Sequence, residues 1–262
     1  MNLIRYPVFV AVLLPALISP PQPQTQAPER GHYTREASIT ETAGAIHIAA
    51  NSPRPLEQVL EALQQKYGWL VDYEDPRYLS KHEIVERPGM NGTTYALPDG
   101  GVFNADVPAG KTAPPPEDKT LEAIVDAYNQ GQNPGRFALR QNEDGSFAVV
   151  GIGAEDDAGK ISIEAPALDQ QLTLPETQRT ATETAHLICE NLSRETHVQF
   201  TLGITPRLLM DHKEVKVGGN KMQARTLLAR TLQATGHTMY YRLLFDPSSK
   251  SYFLDIHAVR GK

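Results

Sequence analysis

Cysteine is nearly missing from this chain: Cys189 is the one thiol in 262 residues. A lone thiol excludes an internal disulfide framework. Its neighbours read as helix, so Cys189 is expected to be a small buried side chain. Aromatic residues are also scarce, with Trp69 the single tryptophan. No long basic run occurs. The formal charge of −6 comes from acidic and basic residues mixed along the chain. Phosphate recognition needs clustered Lys and Arg, so this pattern argues against nucleic acid as a partner and against a polybasic membrane anchor. After the N-terminus, no stretch is apolar over the ~20 residues that a membrane-spanning helix requires.

Catalytic signatures are missing too. No G-x-S-x-G elbow, P-loop or H-E-x-x-H is present. Gly151-Ile-Gly153 follows a strand pattern, but no third glycine opens a helix, and Glu155-Asp156-Asp157 would repel phosphate. We read residues 151–159 as a linker. No catalytic, cofactor-binding or metal-ligating residue is assigned, and no cofactor is expected.

The N-terminus carries an address. Arg5 precedes an apolar run at residues 8–18, interrupted by Pro15. That run is the length of a signal h-region. Residues 1–27 are therefore expected to be a signal peptide, placing the protein in the periplasm or outside the cell, with no integral membrane span once it is removed. Ser19 and Ala27 are small enough to precede a cut, yet each is followed by proline, so an uncleaved anchor is the alternative. No cysteine follows the run to accept a lipid. The stretch from Pro20 to about Thr42 is polar and Pro/Gln-rich at its start, and residues 28–44 read as a flexible linker. Order is expected from Ala45.

Two segments then follow the same plan. In residues 45–152, AIHIAA at 45–50 is a strand. Pro53 and Pro55 open a helix with Leu56, Val59, Leu60 and Leu63 on one face, and Tyr67-Gly68 closes it. Residues 69–73 form a strand stopped at Asp75-Pro76. A long irregular insertion covers residues 79–118, with a short strand expected near 93–97. Residues 119–130 are helical, with Leu121, Ile124, Val125 and Tyr128 aligned. Two apolar runs around Asn142-Glu-Asp-Gly145 make a hairpin.

Residues 160–262 repeat the plan. Residues 160–165 are a strand. Thr180 opens a helix carrying Ala181, Ala185, Ile188 and Leu192. Strands are expected at 198–202 and 214–217. A helix at 221–235 presents Leu227, Leu228 and Leu232, and a hairpin closes the chain. The fold class expected is α+β: two small strand-helix-strand and helix-hairpin units, each with two helices packed on small sheets, the halves not merging into one continuous sheet.

These patterns carry a resemblance. Ile161 to Ala165, Val198-Gln-Phe200, Glu214-Val-Lys-Val217, Leu227/Leu228/Leu232, Thr235-Gly236 and Tyr240-Tyr241 resemble the short N-terminal domain of secretins and of signalling TonB-dependent receptors. Leu56 to Leu63, Tyr67-Gly-Trp69 and Val71-Asp-Tyr73 fit the same frame. The resemblance implies tandem domains of this type engaged in periplasmic protein–protein contact. The insertion at 79–118 departs from the family, which has a short strand there.

Several side chains are of types that carry chemistry. Glu183, His186 and Glu190 share a helix face at a metal-ligand spacing, but a carboxylate-bridged site needs a second such helix. Their simpler reading is a solvated face. His47, His82, His197, His212, His237 and His257 are scattered. Asp72, Glu74 and Asp75 cluster at a strand end, where turn composition explains them as well as acid–base chemistry does. Asn91 and Asn191 stand in glycosylation sequons. The function expected is a non-catalytic interaction module whose protein partner extends an exposed strand edge. The alternatives are an envelope enzyme using His82, Glu83, Glu86 and Asp99 of the insertion, and stacked units building a larger assembly. Oligomeric state is left open.

Overall fold

A computed structural model describes residues 33–110 and 114–259. The expected signal peptide at 1–27 lies outside the described residues. In chain order the strands and helices are β1 (Ser38–Thr42), β2 (Ala45–Ser52), α1 (Pro55–Tyr67), β3 (Val71–Glu74), β4 (Ile84–Pro88), β5 (Thr94–Pro98), β6 (Gly101–Pro108) and α2 (Glu117–Gln130). They continue with β7 (Arg136–Gln141), β8 (Phe147–Glu155), β9 (Ile161–Ile163), β10 (Gln171–Thr180), α3 (Ala181–Thr196), β11 (Phe200–Leu202) and α4 (Arg207–Met210). The last four are β12 (Glu214–Gln223), α5 (Ala224–Ala234), β13 (Met239–Asp246) and β14 (Ser251–Ala258). The protein is α+β.

Local chemistry sets the helix ends. Pro55 starts α1 where its missing N–H costs nothing. Gly68 ends it in the left-handed region at φ 77°, its N–H donating to the Gln64 carbonyl. Thr180 and Glu183 close a reciprocal capping box at the start of α3, each side chain accepting the other's backbone N–H. His197 ends α3 left-handed at φ 57°, the counterpart of Gly68.

The two halves have the same topology. In the first, β2 pairs antiparallel with β6, β3 runs parallel to β8, and β8 pairs antiparallel with β7. In the second, β10 pairs antiparallel with β12, β11 runs parallel to β14, and β14 pairs antiparallel with β13. Each half buries its own core. Leu56, Val59, Leu60 and Leu63 meet Leu121, Ile124 and Val125 in one. Ala185, Ile188 and Leu192 meet Leu227, Leu228 and Leu254 in the other.

The halves do not keep separate sheets. β3 also pairs in parallel with β13, at Tyr73–Arg242 and Glu74–Leu243. One sheet therefore runs β11-β14-β13-β3-β8-β7, with β9 attached to β8. The expectation of two units with independent sheets is corrected. Each half leaves one main-sheet edge that its own strands do not fill, and the two open edges fill each other.

Three boundaries also move. Order begins before Ala45, because β1 adds antiparallel to β2. Residues 151–155 are no linker but the end of β8, and 161–163 pair with it as β9, so that strand belongs to the first half. The insertion is smaller than residues 79–118, since β6 within it is an integral partner of β2; β4 and β5 form the hairpin inserted before it.

Candidate functional site

The densest polar chemistry lies where β3 meets β13 and α5. Four successive residues of β3 are buried, and two of them are acids, Asp72 and Glu74; Asp75 follows. Strand alternation sends Asp72 and Glu74 to one face. Arg225, from the first turn of α5, grips the Glu74 carboxylate, reaching Oε2 through Nη2 at 3.3 Å, and also holds Asp169 at 2.9 Å. The Tyr241 hydroxyl of β13 donates to Glu74 Oε1 at 2.8 Å. Burial raises the pKa of Glu74, and Arg225 and Tyr241 oppose that rise.

Asp72 accepts the Tyr241 N–H at 3.0 Å and the Asn142 amide at 3.2 Å. Burial dominates its environment and pushes its pKa up to about 7. Asp75 is the hub at the other end. It accepts Arg54 Nε at 2.6 Å, the Phe245 N–H at 2.9 Å, and the hydroxyls of Tyr73 at 2.8 Å and Tyr78 at 3.3 Å. Arg54 also donates to the Phe245 carbonyl at 2.6 Å. The Arg242 guanidinium stacks 4.7 Å from the Tyr240 ring centroid and lies 3.6 Å from Glu57.

This network does a structural task. Only two residue pairs of β3 and β13 are in register, and Asp72 and Asp75 take the β13 N–H groups on either side of them. A buried N–H without an acceptor costs about 1–3 kcal/mol. The carboxylates thus lengthen a short strand pairing. Asp72, Glu74 and Asp75, read as turn composition, are brought together at the seam between the halves.

The outer edges of the main sheet are treated differently. At β7, the Asn129 amide accepts the Phe137 N–H at 2.9 Å and donates to the Phe137 carbonyl at 2.8 Å. At β11, the Ser193 hydroxyl accepts the Phe200 N–H at 2.8 Å and donates to the Phe200 carbonyl at 3.4 Å. Side chains occupy those positions as a further strand would.

The other candidate residues do not converge. Glu183 serves the α3 capping box, and His186 and Glu190 border an open groove beside β10. Among the described residues no cluster of three or more His, Cys, Asp or Glu side chains could hold a metal. His47 binds Asp106 at 2.5 Å across β2 and β6. His257 stacks on Tyr240 at 5.1 Å. Glu83 turns inward and accepts the Gly135 N–H at 2.7 Å, while His82 and Glu86 are exposed. Asp99 instead donates its N–H to the Glu83 carbonyl at 2.7 Å, tying off the hairpin base. A depression of about 720 Å³ on that hairpin is lined by Pro88, Gly89, Met90, Thr93 and Tyr95. Cys189 is buried, and burial pushes its thiol up to about 12. Among the described residues no helix is long and apolar enough to cross a membrane.

Sequence reasoning missed Arg54, Asp169, Arg225, Tyr241 and Arg242 as members of the seam. Their one sequence signal is weak: Arg225 sits on the same helix face as Leu228 and Leu232, where an apolar residue is the ordinary choice. Compared with family models, curated proteins and solved structures, the chain matches none.

Proposed function

We propose that this chain is an exported, non-catalytic interaction module of the cell envelope that engages a protein partner through a strand edge. The observation that carries this reading is the seam itself. The unit joins its twin by edge pairing of β3 with β13, and takes up β1 on the outer side of β2 in the same manner. Strand addition supplies affinity through backbone hydrogen bonds and specificity through alternating side chains.

The repeated strand and helix order supports the likeness to the short N-terminal domains of secretins and signalling TonB-dependent receptors, and so a place beside secretion or receptor assemblies. The acids that would be the first choice for acid–base work, Asp72, Glu74 and Asp75, are engaged in holding the halves together. That supports binding over reaction chemistry.

Photo-crosslinking side chains placed on exposed positions over the whole surface, in cells that produce the protein, test this reading. A discrete envelope partner captured from neighbouring positions is the expected result. Capture from none of them would overturn it.

A further inference from the structure

The first half shows how this unit takes up an added strand. β1 lies along the side of β2 that faces away from β6, over the flank of α1. Ile39 packs against the first core, and its carbonyl accepts Lys66 Nζ at 3.0 Å. Glu41 accepts the Tyr67 hydroxyl at 2.6 Å and pairs with Lys66 at 3.1 Å. Strand alternation puts Ile39 and Glu41 on one face, toward the helix.

In the second half β10 takes the place of β2, β12 that of β6, and α3 that of α1. Among the described residues no strand pairs with the far side of β10. Where β1 would lie there is a groove of about 730 Å³, its walls including Leu174, Pro175 and Thr177 from β10 and Leu187, Glu190 and Asn191 from α3. Leu187 is half-buried and packs on the second core, which gives the groove an apolar floor. Arg179 folds back along this edge to the Pro175 carbonyl and the Thr177 hydroxyl, and its Nη1 is enclosed with no acceptor. Pro175 offers no N–H, which keeps the edge from pairing indiscriminately along its length.

Charge defines the occupant. Counting back from the left-handed caps Gly68 and His197, the helix position of Lys66 in α1 corresponds to Glu195 in α3. Glu195 is an exposed acid one turn beyond the groove-lining Asn191, and among the described residues it forms an ion pair only with its neighbour Arg194, at 3.5 Å. An acid on the added strand suits the first groove, and a base suits the second.

We propose that the groove between β10 and α3 receives an extended segment of a partner protein, added antiparallel to β10 as β1 is added to β2. That segment carries an apolar residue and, two positions later, a lysine or arginine. The proposal rests on the interaction reading above and gives it a site.

The probe is a synthetic peptide spanning residues 37–44 with Glu41→Lys, titrated into the full-length isotope-labelled chain. Saturable amide shifts centred on Thr173, Thr177 and Leu187 are expected. Binding should weaken about fivefold in the Glu195→Lys chain, the effect of reversing an exposed ion pair. The unmodified peptide should show the opposite order. No saturable shift, shifts elsewhere, or indifference to the charge at residue 195 would overturn the proposal. Leu187→Asp, at a half-exposed position, should abolish binding without unfolding the chain; undiminished binding would also overturn it. Crosslinkers at Thr177 and at Thr94 on the β4–β5 hairpin separate the two levels. A partner caught at Thr177 and competed away by the peptide supports the groove. Partners caught at Thr94 and never at Thr177 remove the groove and leave the interaction module, whereas none at either position removes both.

Discussion

Glu74 and Arg225 stand 151 residues apart and meet as a buried ion pair at the seam between the halves. Removing one partner strands the other charge away from water. Arg225→Met should therefore cost about 3–5 kcal/mol, the range for breaking a buried pair. The double variant Glu74→Leu/Arg225→Met should lose less than the sum of the two single changes. Urea unfolding of the four proteins measures both quantities.

Asp72 gives the stability a defined pH dependence. Its folded pKa of about 7 lies above the ordinary 3.8. The folded state therefore holds a proton that the unfolded chain releases. The stability this contributes is complete below about pH 4 and is lost as pH rises through about 7, with a ceiling of about 4 kcal/mol. Asp72→Asn keeps an acceptor for the Tyr241 N–H and removes the titration. Its stability should change less with pH between 4 and 7 than that of the unmodified protein. Equal slopes would show that Asp72 is ionised throughout this range.

Asn129 and Ser193 close the outer strands of the main sheet at Phe137 and Phe200. At the seam the corresponding strands β13 and β3 pair with each other instead. Replacing both caps by alanine should make association between copies rise with concentration, read by sedimentation velocity. Adding Leu139→Pro on β7 should restore the original behaviour, because proline cannot donate to a ladder. Association that survives Leu139→Pro would not run through this edge.

Gly151 marks a close crossing of chains. A methyl group there would come 2.2 Å from the Pro76 nitrogen, where the chain leaves β3. Gly151→Ala should destabilise the protein by about 1–3 kcal/mol through overpacking, measured by thermal or urea unfolding. A neutral effect would mean that the two segments are not in contact.

The helices were legible because their apolar stripes have the helical period: Leu56, Val59, Leu60 and Leu63 all lie in the core of the first half, as Leu227, Leu228 and Leu232 do in the second. The two hairpins closing the halves were legible from their turns. The seam was not. Carboxylates before a proline look like a turn, and only the distant Arg54, Arg225 and Tyr241 turn them into buried acceptors. Gly151 and Gly153 looked like a linker because glycine in a strand signals a close neighbour only when that neighbour is known. β1 was read as tether because Ser38 to Thr42 holds one large apolar residue, Ile39. The groove beside β10 had no signal in its residues alone, since it is defined by the strand that fills its twin.

That the halves form one continuous sheet through β3 and β13 is tested most directly by two probes of one unfolding curve. Trp69, the lone tryptophan, is buried in the first core, stacked 4.7 Å from Tyr67. Its fluorescence reports that half, and an amide such as Leu254, in the second core, reports the other by hydrogen exchange in the same urea series. Coincident midpoints, both lowered by Arg225→Met, are expected. A Trp69 transition that stays in place while Leu254 loses protection would contradict a shared sheet.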